Sequence, residues 1–117
     1  MKEIIIYHNP RCSKSRQALQ LLRENSVEPK IIEYLKNPLQ KDELKKISDM
    51  LGLRPKEFIR KNEKDFKENN LIEFIEDDEK IVKAMVLHPK IIERPIVTKG
   101  AIAVIGRPPE NVLEVLK

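Results

Sequence analysis

The apolar positions of this chain change period from segment to segment, and those changes divide it into elements. Ile4-Ile5-Ile6 is an unbroken apolar run, so residues 3–7 are predicted to form a buried strand. Asn9-Pro10 breaks it. From Ser13 to about Glu24 the spacing becomes helical, with Ala18, Leu19 and Leu22 on one face and Asn25-Ser26 as the stop. Lys30 to Tyr34 is a second short strand. A strand, a helix of crossover length and another strand make a βαβ unit, which implies parallel strands joined by a right-handed crossover.

Asn37-Pro38 closes that unit, and from Gln40 to His88 the pattern is helical and highly charged. One helix is predicted over about 41–51, with Leu44, Ile47 and Leu51 in register and Gly52 as its stop. Another starts at Pro55 and carries Phe58 and Ile59. A helical or irregular stretch follows through Phe66, then Leu71 to Ile75. Asp77 or Asp78 caps a last helix, with Ile81, Val82, Met85 and Val86 inward, which ends before Pro89. Beyond Arg94-Pro95 the period shortens again. Ile96-Val97-Thr98 and Ala101–Ile105 are predicted strands about a Lys99-Gly100 turn, and Gly106-Arg107-Pro108-Pro109 leads into a helix over about 110–116 with Val112, Leu113 and Leu116 inward. The order βαβ, helical insertion (about 38–90), ββα predicts an α/β fold. It is a four-stranded mixed sheet in the thioredoxin-like arrangement, one domain over residues 1–117.

Composition narrows the function. Only 4% of the residues are aromatic and 36% are charged, so the core is built from Ile, Leu and Val. No apolar run approaches the roughly 20 residues that span a bilayer, and Met1-Lys2-Glu3 followed by three isoleucines does not make a signal peptide. A cytoplasmic protein is expected. The net charge of +4 resides at the two ends: residues 1–39 carry +3, residues 40–88 carry −1 and residues 89–117 carry +2. With no basic run interleaved with aromatics, a small anion is a better partner than nucleic acid.

Candidate chemistry centres on Cys12, the one cysteine of the chain. It stands where a buried strand meets a helix N-terminus, beside Arg11, Lys14 and Arg16, with His8 a few residues back. Unpaired N–H groups and the positive end of the helix dipole favour thiolate there, and the thiolate is the nucleophile. A single cysteine allows no internal disulfide and no all-cysteine metal site, and two histidines do not complete a usual zinc pattern. If Cys12 does redox work, its electrons come from another molecule. Most single arginines among 23 basic residues are solvated surface charges. Arg94 and Arg107 stand apart because each precedes a proline, which biases its backbone to an extended connection flanking the C-terminal strand pair. His88 reads as a helix end, and Asp77-Asp78-Glu79 as an N-cap with first-turn acids rather than a metal site.

His8-Asn9-Pro10-Arg11-Cys12, Arg60-Lys61-Asn62, His88-Pro89, Glu93-Arg94-Pro95-Ile96-Val97 and Gly106-Arg107-Pro108 together resemble the glutaredoxin-coupled arsenate reductase family, over essentially the whole chain. That family also contains the Spx-type transcription regulators. The resemblance implies that Cys12 attacks arsenic and that His8 helps keep it ionised. It implies that Arg60, Arg94 and Arg107 bind the oxyanion, and that Pro95 is the cis-proline opposite the reactive cysteine. It implies no bound cofactor, arsenate and arsenite as ligands, glutathione as the external reductant and glutaredoxin as the partner. A monomer acting without nucleic acid or membrane is expected. Two departures matter. Ser13-Lys14 stands where better-known arsenate-reducing members carry Gly-Thr, which resembles a less characterised branch. Ser15 stands where Spx-type regulators carry a second cysteine. A Spx-like polymerase partner and a monothiol oxidoreductase acting on mixed disulfides are the alternative readings.

Overall fold

In a computed structural model that describes residues 2–117, the chain forms two compact units. One combines residues up to Asn37 with Arg94–Lys117, and the other is Pro38–Glu93.

The first unit carries the sheet. β1 (Ile4–His8) lies between β2 (Lys30–Glu33), which it pairs in parallel, and β3 (Ile96–Lys99), which it pairs antiparallel; β4 (Ile102–Ile105) closes the order β2-β1-β3-β4. Ile6, Val97 and Val104 are register partners across three strands, and Ile6 and Val97 are fully buried. Helix α1 (Ser13–Glu24) buries Ser15, Ala18, Leu19 and Leu22, and its apolar face joins Ile6, Val97, Val112 and Val115 in one core cluster. Burying these aliphatic side chains is what holds α1 on the sheet, at about 1.5–3 kcal/mol for each large one.

The C-terminal segment Pro109–Leu116 winds as a 3₁₀ helix rather than the expected α-helix. Three residues per turn align i and i+3, so Pro109, Val112 and Val115 are the buried positions, while Leu113 and Leu116 are only half-buried. The turn between β3 and β4 lies at Gly100-Ala101, one residue later than the Lys99-Gly100 pair. Gly100 takes the positive φ of 60° that the turn requires.

The second unit is helical. It contains α2 (Lys41–Leu51), α3 (Lys64–Glu68) and α4 (Asp78–Leu87), with 3₁₀ turns at Pro55–Phe58, Leu71–Phe74 and Pro89–Ile91. α4 packs against α2 and all three of those turns. Asp77 caps α4 by accepting a bond from the Lys80 N–H at 3.2 Å, and Gly52 ends α2 in the left-handed region at φ 68°. Ile81, Val82, Ala84 and Met85 are the buried positions of α4; Val86 is half-buried. Among the described residues no helix is long and apolar enough to cross a membrane.

Candidate active site

Cys12 is the N-cap residue of α1, in extended backbone conformation. Asn9 makes the bend that puts it there. Its carbonyl accepts the Cys12 N–H at 3.0 Å, and its Oδ1 accepts the Arg11 N–H at 3.0 Å, a side-chain turn that replaces strand pairing. The cysteine side chain then faces N–H groups that the helix leaves without partners. It makes no full cap hydrogen bond, yet the Ser15 and Lys14 N–H groups still act on the sulfur. Burial pushes the thiol up. The Ser15 N–H, hydrogen bonding and charge from the Arg94 guanidinium, and the Lys14 N–H pull it down further, so its pKa lies below the ordinary 9.0.

Arg107 reaches the same sulfur from β4's far end. Its Nη2 lies 3.7 Å from Cys12 Sγ, and its Nε donates to the Arg94 carbonyl at 2.8 Å. One planar guanidinium therefore ties the entry to β3 to the thiol. Both Arg94–Pro95 and Arg107–Pro108 are cis peptide bonds. Gly106 leaves space between them. Its N–H donates to the Pro95 carbonyl at 2.8 Å, and a Cβ on it would stand 2.7 Å from Pro95 Cγ and 3.0 Å from Val112 Cγ1.

His8, at the end of β1, is 5% exposed, and its Nδ1 lies 2.5 Å from Ser15 Oγ. The same hydroxyl accepts the Asn9 N–H at 3.1 Å, which leaves its proton for the imidazole and fits a neutral ring protonated at Nε2. Burial pushes His8 below 6.5; Glu33 opposes that, and Arg23 and Arg16 reinforce it. His8 is therefore uncharged at neutral pH. The positive charge beside the sulfur comes from Arg94 and Arg107, and His8 acts on the cysteine loop through Ser15.

Arg60 belongs to the second unit. Its Nε pairs with Glu63 Oε1 at 3.2 Å, its Nη1 with Glu93 Oε1 at 3.0 Å, and its N–H donates to the Ile91 carbonyl at 2.7 Å. Two carboxylates thus hold its guanidinium within the helical unit. The first unit brings together Cys12, His8, Arg94, Pro95 and Arg107. Ser15 joins them, and in the sequence it stands out only as the position where Spx-type regulators carry a second cysteine. The available signal was periodicity, because 15, 18, 19 and 22 share one helix face. Among the described residues no group of three or more His, Cys, Asp or Glu side chains is placed to hold a metal ion.

A thiol of lowered pKa, at a helix N-terminus and between two guanidinium groups, can bind a small anion and attack it. Fold and site together define a thioredoxin-like protein with a single cysteine, placed at a helix N-terminus.

Comparison with known proteins agrees. The ArsC family's sequence pattern matches residues 7–115, and the chain belongs to that family. It is 47% identical over 116 residues to the uncharacterized protein YfgD of Escherichia coli K12, covering 98% of each chain. It is 42% identical over 117 residues to the arsenate reductase of Neisseria meningitidis serogroup B, covering 99% of this chain and 100% of the other. The solved structure of an arsenate reductase from Vibrio cholerae superposes with a TM-score of 0.93 at 43% identity, covering 97% of this chain and 98% of that one.

Proposed function

We propose that this protein reduces arsenate to arsenite, using Cys12 as nucleophile and an external thiol as reductant. The observation that carries the reading is the placement of the Cys12 sulfur at the α1 N-terminus with Arg107 Nη2 3.7 Å away, a setting in which Arg94 and the first-turn N–H groups favour the thiolate. Arsenate is an anion at neutral pH, so its approach to a thiolate is opposed by about 4 kcal/mol for unit charges at ~4 Å and an effective dielectric near 20. Guanidinium groups and helix N–H groups offset that repulsion and stabilise the oxygens of the adduct.

In the first step the Cys12 sulfur bonds to arsenic and one arsenate oxygen leaves as water, with arsenic still pentavalent. A glutathione thiolate then attacks the Cys12 sulfur. The electron pair of the sulfur–arsenic bond stays on arsenic, which leaves as trivalent arsenite, and Cys12 is left in a mixed disulfide with glutathione. A second thiol, from glutaredoxin, attacks the glutathione sulfur and regenerates the Cys12 thiolate. The external thiols supply both electrons, because the chain has no second cysteine to do so. Family membership and the arsenate reductases among its relatives support arsenate as the oxyanion.

The test is arsenate reduction coupled to glutathione and glutaredoxin. Wild-type protein is expected to turn over and Cys12→Ser to be inactive while still folded. Turnover retained by Cys12→Ser overturns the mechanism. Turnover of a glutathionylated substrate that survives Arg94→Ala, with no arsenate reduction by the wild type, identifies a mixed-disulfide oxidoreductase instead.

A further inference from the structure

The charges around Cys12 break a rule that the rest of the chain obeys. Helices α2 and α4 carry Asp42 and Glu43, and Asp78 and Glu79, in their first turns, where acids complement the helix dipole. The first turn of α1 has no acid. From His8 to Leu22 there are three cations, Arg11, Lys14 and Arg16, and no carboxylate. Many of the remaining cations are paired, among them Arg23 with Glu28, Lys36 with Glu33, Lys41 and Lys45 with Glu79, and Arg54 with Asp78. Among the described residues Arg11 and Lys14 form no ion pair, and Arg16 donates Nη1 to the Pro10 carbonyl at 2.9 Å, which folds it back onto the cysteine loop. All three are exposed, whereas Arg94 and Arg107 are half-buried. Lys14 springs from the turn whose N–H acts on the sulfur.

Three unpaired like charges at the positive end of a helix dipole cost stability, and a local rule broken without a structural gain marks a functional surface. A small tetrahedral anion at the sulfur is already served by Arg94 and Arg107. The exposed cations suit a ligand that reaches Cys12 from solvent with negative charge on both sides of its reacting sulfur.

We infer that Arg11, Lys14 and Arg16 form a rim that recognises the carboxylates of the small thiol resolving Cys12, a glutathione-class peptide with its thiol flanked by two carboxylates. This rests on the reading that an external thiol regenerates Cys12. The rim selects the reductant, and no bond is made to it.

The test needs no arsenate. Reduced protein is mixed with glutathione disulfide or with the uncharged bis(2-hydroxyethyl) disulfide, and formation of the Cys12 mixed disulfide is followed by intact mass. Both reactions use the same thiolate, so the ratio of their rates reports recognition of charge. Exposed charge pairs contribute modestly, so Arg11→Gln with Lys14→Gln is expected to lower the ratio about tenfold, and Lys14→Arg to preserve it. In the wild type the ratio is expected to fall severalfold from low salt to 0.5 M as screening shortens to a few ångström. A ratio indifferent to both salt and substitution overturns the rim. So does a double variant whose ratio is unchanged while reduction by glutaredoxin alone slows, because the cations would then serve a protein partner. If the ratio behaves as expected but the wild type does not reduce arsenate, the rim stands and the arsenate reading falls.

Discussion

Arg107→Met removes one charge and the hydrogen bonds to the Arg94 carbonyl and the Cys12 sulfur while keeping an unbranched side chain. The lost charge stood 3.7 Å from Cys12 Sγ. At that distance the attraction on a thiolate is about 4–5 kcal/mol at an effective dielectric near 20 and about 1 kcal/mol in bulk water. Arg107 is half-buried, so about 1–2 kcal/mol is the appropriate figure for the thiolate alone. A guanidinium contact to an arsenate oxygen adds about 1.5–3 kcal/mol, the usual range for a hydrogen bond to a charged group. The two effects separate by assay. Alkylation of Cys12 by uncharged iodoacetamide at pH 7 reports only the thiolate and is expected to slow by about five- to thirtyfold. The kcat/KM for arsenate reports both and is expected to fall by about 10²- to 5 × 10³-fold. Equal losses in the two assays, or no loss in the second, would refute the assignment of Arg107 to the oxyanion. Loss of the Nε bond to the Arg94 carbonyl should also reduce stability by about 1 kcal/mol, read from chemical denaturation.

Three further outcomes follow from the same geometry. The pH profile of wild-type iodoacetamide alkylation should have its midpoint below 9.0, and a midpoint at or above 9.0 would contradict the environment described for Cys12. His8 is buried with its folded pKa below 6.5, so the unfolded chain takes up the proton first. Its contribution is therefore present above pH 6.5 and lost as pH falls through the lower folded value. Urea midpoints should decline over that window in the wild type and decline less in His8→Gln; equal slopes would exclude His8 as the cause. Gly106→Ala forces a Cβ to 2.7 Å from the Pro95 ring and 3.0 Å from Val112, an overpacking expected to cost about 1–3 kcal/mol and to lower Tm by about 5–10 °C, with slower Cys12 alkylation. An unchanged Tm would mean that the Pro95 ring yields without consequence.

The elements with strong periodicity were legible in the sequence. α1 begins and ends where the helical spacing and Asn25 place it, and Ile4-Ile5-Ile6 lies in the central strand β1 between β2 and β3. Short segments were harder, because three or four apolar residues fit a 3₁₀ turn as well as an α-helix. Pro55–Phe58 and Leu71–Phe74 close as single 3₁₀ turns, and Pro109–Leu116 shows its period only in which valines it buries. At the site, Cys12 could be nominated from its junction between strand and helix. Arg94 and Arg107 could be set apart by the prolines after them, but their convergence on one sulfur needs the β3–β4 pair folded back beside β1. Arg60 could not be read from local pattern, and the structure shows its guanidinium held by Glu63 and Glu93. The network of His8, Ser15 and Asn9 was also invisible locally. It depends on a buried hydroxyl meeting an imidazole seven residues earlier in the chain.

If Cys12 begins a reduction that an external thiol must finish, a single turnover with arsenate and glutathione but no glutaredoxin leaves the glutathione on the chain. Intact mass spectrometry with peptide mapping should find one glutathione per chain, on Cys12, formed with one equivalent of arsenite and only when arsenate is present. Arsenite released without a Cys12–glutathione disulfide, or that disulfide formed equally fast without arsenate, would contradict the account.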